Sequence, residues 1–570
     1  MTQPLSHELP DELQAEPRSY EWIVAVVLGY GALAVIPLIV SLTVIAAKFR
    51  GLTEFTALDH AQLARHLVAG DGWVTSVIRP LSLGFKPTLD HHPDLYNSPL
   101  HPWLLALFFN GFGASDRAAA WCGAATWAAS LWLTFVVARH WLGARRAWFP
   151  VLLYAVHTPA LVTSVNGLPY SLSACMVLLA LWNAVPAPSL WGPVDAPHEE
   201  AEEAEEAEAA PALEPVLPIH RLLLTGLFCG LATLSHYLLA VFAIVLGIFV
   251  SRREPDRGQA AGSFLAGYLV AVVPWMLVLF LQTGSPIPTL YWYDLLVNSG
   301  SYPGDMVWRL VESPGHPIVH VATHPLQTVF KLFAGLGRYW REAPVALGPL
   351  ACAVFSWVAL QGVGGRLWTR SLGAVLVGVL TLATISCLFR PDPALLLAFS
   401  PFMAIVGAYG VLMWLEDRVG PIWRGERVIE TRFLHGAALA GLAVVAAVPL
   451  LAYILTDRPQ ALQFAEQLQP VATRVPAGRA VLTDQPALVA WFANRTSVYL
   501  PQTEDGFAAL EKTSGQVSAS FVTPAIYQLP ILEQSTWWSW LVLPQGVYRG
   551  LVISEPRLQT AVLRLRKEKN

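Results

Sequence analysis

Apolar positions along this chain fall in long unbroken runs. From Trp22 to Leu455 they recur near residues 22–47, 117–138, 147–163, 168–186, 218–234, 236–250, 259–281, 346–361, 371–389, 393–415 and 433–455. A bilayer's hydrocarbon core, about 30 Å thick, takes roughly 20 residues of helix, so the runs predict about eleven membrane-spanning helices, several short enough to tilt or merge. The shorter run "LHPWLLALFF" at 100–109 is bounded by proline and predicts a re-entrant or interfacial helix. Beyond residue 456 the pattern changes. "RAVLTDQPALVAWFANRTSVYLP" (479–501) reads as a strand, a helix opened by Asp484 and Pro486, and a second strand, and "ASFVTPAIY" and "YRGLVIS" add further strand-like segments. The expected fold is an α-helical polytopic membrane protein with a small C-terminal α/β soluble domain.

Composition supports that reading. Hydrophobic residues make up 55% of the chain and charged residues 13%. The net charge of -4 owes much to one acidic run, His198 to Ala210, so nothing points to nucleic acid. The five cysteines lie in apolar segments with no close pair, as small buried hydrophobes do. The polar first twenty or so residues lack a basic start, so the first apolar run reads as a retained helix with a cytoplasmic tail at 1–20. Arginines then orient the rest. Arg139, Arg145 and Arg146, then Arg252, Arg253 and Arg257, then Arg366 and Arg370, then Arg418, Arg424, Arg427 and Arg432 all fall on one side, which the positive-inside rule makes cytoplasmic. A membrane domain at 21–455 thus sends two loops, 48–116 and 282–345, and the 456–570 domain to the outer face. The acidic insert at 187–217 stays inside as a solvated linker.

Candidate chemistry concentrates in the first outer loop. In "FTALDHAQLARHLVAGDGWV" (55–74) the apolar positions Leu58, Ala61, Ala64 and Leu67 predict a helix lying flat on the bilayer, with Asp59, Gln62 and His66 on its polar face. Asp59 has a structural explanation as well, because "TALD" matches a capping box in which Thr56 caps the helix and the acid reaches back. Downstream come Arg79, Lys86, Asp90, His91, His92 and Asp94, and cations beside a bilayer suit an anionic lipid head group. "DHHPD" (90–94) also leaves a divalent metal open, with Asp90 and Asp94 as candidate ligands.

The order of these segments resembles a known family. An outer helix bearing an acid in "LDHAQLARHLVAGDGW", the proline-bounded "SPLHPWLLAL", the pair around "ARHWLGARRAWFPVLLYAVHTP", then "GLATLSHYLLAVFAIVLGIFVSRR" and "VPWMLVLFLQTGSPIPTLYWYDLLVNSGSYPG" look like the glycosyltransferase C superfamily. Within it the likeness is to the family 39 group, related to protein O-mannosyltransferases and aminoarabinose transferases, and it covers most of 20–415. The resemblance implies an inverting enzyme at the outer face that moves a sugar from a polyprenyl-phosphate donor to an acceptor hydroxyl or amine. It puts Asp59 where the family has its catalytic acid. The cations that would meet the donor phosphate are Lys86, Arg79, His91, His92 and Arg390, while Asp294 and His236 are possible contributors from elsewhere. Arg390 has an alternative role as an interfacial anchor. Two places depart from the family: "TSVNGLPYSL" carries Asn166 where many relatives have an acid, and "SPLHP" replaces a lysine-proline-proline entry. Neither residues nor resemblance name a cofactor, an acceptor or a sugar. A transporter or flippase of lipid-linked intermediates is the rival reading, but it predicts charges inside the spans and internal repeats, and neither is seen. An inactive scaffold of the same fold is the third.

Overall fold

The computed structural model describes residues 47–143, 146–185, 217–348, 366–419, 447–456, 462–515, 517–532, 534–542, 551–553 and 561–566, with single residues between 39 and 45 and between 441 and 445. The expected spans 22–47 and 346–361 and the acidic insert lie largely or wholly outside the described residues, and 433–455 lies partly outside them. In chain order the elements are α1 (Phe55–Ala69), β1 (Val77–Ile78), α2 (Leu100–Phe112), α3 (Asp116–Leu142), α4 (Trp148–Ala155), α5 (Thr158–Val165) and α6 (Tyr170–Ala184). Next come α7 (Ile219–Ser235), α8 (Leu239–Arg253), α9 (Arg257–Thr283), α10 (Pro317–Thr323), α11 (Pro325–Leu347), α12 (Arg366–Leu388) and α13 (Ser400–Val419). The C-terminal part holds α14 (Leu462–Arg474), β2 (Val481–Thr483), β3 (Ser497–Tyr499), α15 (Glu504–Ser514), β4 (Ala519–Val522), α16 (Gln534–Val542), β5 (Leu551–Ile553) and β6 (Val562–Arg566).

Among the described residues four helices are long and apolar enough to cross a membrane: Asp116–Leu142, Arg257–Thr283, Arg370–Leu388 and Pro393–Trp414. The expected single span at 147–163 is instead two helices, α4 and α5, bent by 58°. The backbone is extended at His157, and Pro159 in the first turn of α5 fits a new helix start there, since it has no N–H to continue the bonding of α4. The runs that begin near 168 and 218 form shorter apolar helices, α6 and α7. Two glycines set how closely the bundle packs. A Cβ on Gly226 of α7 would lie 1.9 Å from the Phe264 carbonyl oxygen of α9, and one on Gly267 would lie 2.0 Å from that of Leu223. Backbone meets backbone there. Elsewhere on its surface α9 presents Val270, Leu277 and Leu281 outward, as a lipid-facing helix does.

The region outside the helix bundle is less modular than the sequence implied. A six-stranded sheet runs β1-β3-β2-β4-β6-β5, with β1, β3, β2 and β4 parallel and β6 and β5 antiparallel. Its first strand comes from loop 48–116. Val77 pairs with Ser497 and Ile78 with Val498, across more than 400 residues of chain. Because successive strand side chains point to opposite faces, Val77 joins a core with Leu58, Phe109, Trp491 and Phe521, while Ile78 joins one with Leu482, Val498 and the fully buried Trp537 and Trp540. Loop 48–116 and the C-terminal domain therefore share the cores on both faces of the sheet.

That sharing corrects the expectation for α1. Residues Ala57 to Ala64 are all buried, Asp59, His60 and Gln62 among them, so α1 is enclosed by protein rather than laid on lipid. The capping-box reading also fails. The helix begins at Phe55 after an extended Glu54, with no side-chain cap, and Asp59 sits in its second turn facing other partners.

Candidate active site

Asp59 is about 1% exposed, and three donors orient it. Gln62 Nε2 donates to Oδ1 at 3.0 Å, while Arg79 and Asn97 Nδ2 each donate to Oδ2 at 3.0 Å. Gln62 is itself fixed, since its Nε2 also reaches Thr75 Oγ1 at 2.9 Å and its Oε1 accepts from the Ser76 amide at 2.8 Å. Asn97 shares its amide with Asp94 Oδ2 at 2.9 Å, and Asp94 Oδ1 accepts the backbone N–H groups of Tyr96 and Asn97. Burial, together with the nearby Asp59 charge, pushes the Asp94 carboxyl above its usual range. An ionised carboxylate has about four acceptor sites, so the three bonds on Asp59 leave one free.

Asp59 faces a cavity of about 430 Å³ lined partly by loops 48–116 and 282–345. Asp294 lines it from loop 282–345, and His236 and Arg390 from helix ends. His236 is there because α7 stops one residue earlier and its backbone is extended, which breaks what would otherwise be one run from α7 into α8. Tyr96 donates to Asp294 Oδ2 at 2.9 Å, while Asp294 Oδ1 is buried with no hydrogen-bond partner. Burial raises the Asp294 carboxyl, against the opposing pull of Arg390 and Tyr96. Burial also opposes the charge on Arg390, but Tyr96 and Asp294 outweigh it and hold the guanidinium protonated.

The other sequence candidates lie off the cavity wall. Arg79 is 4% exposed and sits behind Asp59. Lys86 and His91 are exposed on the loop, as is Asp90. His92 is buried, with Nδ1 against the Thr88 carbonyl at 2.9 Å, and burial lowers its pKa to about 4. For a metal, no group of three or more His, Cys, Asp or Glu side chains converges among the described residues. Asp94 spends both oxygens on N–H donors, which is a poor start for ligation.

Several wall residues were not picked out from the sequence. Asp392, two residues past Arg390, accepts from Tyr170 OH at 2.7 Å and lies 3.8 Å from His236 Nε2. Its place in "FRPDPALL", just past the end of a late span, was the available signal. It matters because Asn166 leaves the loop after α5 without an acid, yet Asp294 and Asp392 bring carboxylates to the same cavity from other segments. Tyr96, Tyr237 and Tyr291 form an aromatic side, tied together by Tyr237 OH donating to the Asn97 carbonyl and accepting from Trp275 Nε1. Arg338 of α11 also lines the cavity. Isolated aromatics and arginines in loops carry no periodic signal, so only their convergence marks them.

Ser76, His66 and Asp71 have the connectivity of a nucleophilic relay, with His66 Nε2 2.7 Å from Ser76 Oγ and Nδ1 2.8 Å from Asp71 Oδ2. They act as a strut. The Ser76 amide is taken by Gln62 and its carbonyl by Ser497, so no donors are left there to hold an oxyanion.

Known proteins share this architecture. Residues 91–188, from the end of the first loop through α6, match the family described as dolichyl-phosphate-mannose-protein mannosyltransferase. The crystal structure of ArnT from Cupriavidus metallidurans bound to undecaprenyl phosphate superposes with a TM-score of 0.54 at 14% identity, covering 94% of this chain and 98% of that one. Its apo form gives 0.56 at 13% identity, covering 95% and 98%. The oligosaccharyltransferase AglB from Archaeoglobus fulgidus, in complex with an inhibitory peptide and a dolichol-phosphate, gives 0.51 at 12% identity, covering 88% and 70%. No curated protein sequence matches significantly. The chain has the glycosyltransferase C fold that its sequence resembled, and it is an integral membrane protein.

Proposed function

We propose that this protein moves a sugar from a polyprenyl-phosphate donor to an acceptor at the outer face of the membrane, with inversion at the anomeric carbon. The observation that carries the reading is one cavity in which a fixed carboxylate, Asp59, shares walls with the cations Arg390 and Arg338. An acceptor O–H or N–H would give its proton to the free acceptor site of Asp59 as its heteroatom attacks the anomeric carbon. The bond from that carbon to the phosphate oxygen breaks, and the leaving phosphate gains charge. Arginines already in place stabilise it without reorganisation. The tyrosine side offers apolar faces for a sugar ring.

The orientation has topological support. The helix ends that carry Arg139, Arg252 and Arg253, and the starts that carry Arg257 and Arg366, are the ends away from the cavity-side residues His236 and Arg390. By the positive-inside rule the cavity then opens outward. The undecaprenyl and dolichyl phosphates bound by ArnT and AglB support the donor class. A flippase fits less well, since the charged groups gather at one end of the bundle rather than at its midplane.

The test is transfer of labelled sugar from a panel of polyprenyl-phosphate donors in native membranes, wild type against Asp59→Asn. Asparagine keeps the shape and accepts fewer hydrogen bonds, but it takes no proton. A loss of at least about a hundredfold is expected for a general base. Equal donor consumption by both proteins would move the base to Asp294 or Asp392; no consumption by either would favour the scaffold or flippase.

A further inference from the structure

Arg79 follows β1 directly, and among the described residues its guanidinium has one carboxylate within ion-pair distance, Asp59. Four aromatic rings surround it: Tyr96 with its centroid at 4.4 Å, Phe55 and Trp308 at 5.9 Å, and Tyr499 at 6.0 Å. These come from α1, the first outer loop, the second outer loop and β3 of the C-terminal domain. A buried guanidinium gains from ring faces as well as from its carboxylate. Its seat is complete only when all four segments are docked.

The C-terminal domain grips both loops at this point. Besides the β1–β3 pairing, Ser497 donates through its amide and its Oγ to the Ser76 carbonyl, each at 2.8 Å. Arg65 of α1 donates to the carbonyls of Ala490 and Trp491 and stacks over the Trp491 ring. From the second loop, the fully buried Arg309 donates to the Leu500 carbonyl at 3.2 Å, and Gln502 Nε2 donates to the Met306 carbonyl at 2.9 Å. The carboxyl end of β3, where a parallel sheet usually offers a ligand crevice, is thus occupied by the protein's own loop.

We infer that Arg79 is a positioning residue for Asp59 rather than a ligand for donor phosphate, and that Tyr499 makes this positioning depend on the docked C-terminal domain. The inference rests on the proposed transfer reaction with Asp59 as its base. It gives the domain a role in assembling the site, apart from any contact with acceptor.

The experiment uses the full chain in lipid nanodiscs, with Arg79→Gln, Arg79→Lys, Tyr499→Leu and Tyr499→Phe beside wild type. Rate against pH, donor KM and hydrogen exchange across 55–69 are measured. Arg79→Gln is expected to lower kcat about tenfold or more while donor KM stays within about twofold, since orientation rather than binding is lost. The acid limb of its rate profile should move up, because the buried cation beside the proposed base is removed. Arg79→Lys should recover part of both. Tyr499→Leu should shift the limb the same way by less and speed exchange in 55–69, and Tyr499→Phe, which keeps the ring face, should restore both. A raised donor KM with unchanged kcat in Arg79→Gln would make Arg79 a phosphate ligand and overturn the inference. So would a Tyr499→Leu protein whose acid limb and exchange both match wild type. If wild type consumes no polyprenyl-phosphate donor, the transfer reading falls, and the exchange of 55–69 in Tyr499→Leu alone decides: faster exchange upholds the coupling and unchanged exchange rejects it.

Discussion

Helices α1 and α11 belong to the two large loops, 48–116 and 282–345, and both reach the cavity, α1 with Asp59 and α11 with Arg338. Their surroundings are opposite. In α1 an unbroken stretch from Ala57 to Ala64 is buried, polar residues included. In α11 the buried stripe is Lys331, Gly335, Tyr339 and Ala346, while Leu326, Phe330, Phe333 and Trp340 are 73%, 73%, 66% and 86% exposed. One helix thus hides its polar side in protein, and the other turns large apolar groups outward, as a helix resting in an acyl-chain boundary would. A periodic pattern reports that a helix has two faces. It does not report which face meets protein and which meets lipid.

The largest expected effect that separates the two is on folding. Ala61→Gln puts a long polar side chain at a position of α1 with no exposure, and overpacking plus an unpaired amide should cost on the order of 3 kcal/mol or more. Phe333→Gln on α11 should leave thermal unfolding in detergent nearly unchanged. If both behaved alike, the contrast would be wrong. Arg390→Gln removes a cation that lines the cavity and is expected to raise donor KM by about tenfold or more, as for a charge-assisted contact to phosphate. Arg338→Gln should cost only a fewfold, because Arg338 is half exposed and already paired with Glu342 at 3.0 Å. Steady-state kinetics on the two variants would order them.

A smaller effect concerns the domain that covers α1. Asp484, just past β2, is buried against Thr523, and burial raises its pKa from 3.8 to about 6. A raised folded-state value means the folded chain holds this proton more tightly than the unfolded chain. Its contribution is fully present below about pH 4 and is lost as pH rises toward about 6, a difference of roughly 2–3 kcal/mol. Asp484→Asn should therefore melt higher than wild type at pH 7 and lose that advantage near pH 4, measured by thermal unfolding at both pH values. The smallest effect is spectroscopic. A nitroxide at position 333 should relax faster with dissolved oxygen than with a water-soluble nickel complex, whereas one at position 62 should be shielded from both.

Part of the candidate site was legible before any coordinates. Asp59, Asp294, His236 and Arg390 were marked by charge or polarity beside an apolar run, and all four line the cavity. Asp392 and the tyrosines were not, since each lies in an irregular segment whose neighbours say nothing of its direction. Lys86, His91 and His92 were chosen for charge alone, and the loop carries them away from the wall. Arg79 was noticed for its charge, but its partner was hidden, because an ion pair twenty residues apart in a loop depends on how the loop closes.

The sequence by itself determined that the chain enters a membrane, where its polar loops lie, and that the tail is α/β, because hydrophobic length and period are local properties that the solvent reads directly. It could not specify that two residues of the first loop would extend the tail's sheet, or that α1 would be buried beneath it. A two-residue strand has no pattern of its own, and its partner edge exists only once β2, β3 and β4 have assembled. Tertiary structure alone decided where Asp59 points, because a buried carboxylate takes its direction from whichever donors the fold brings within hydrogen-bonding reach.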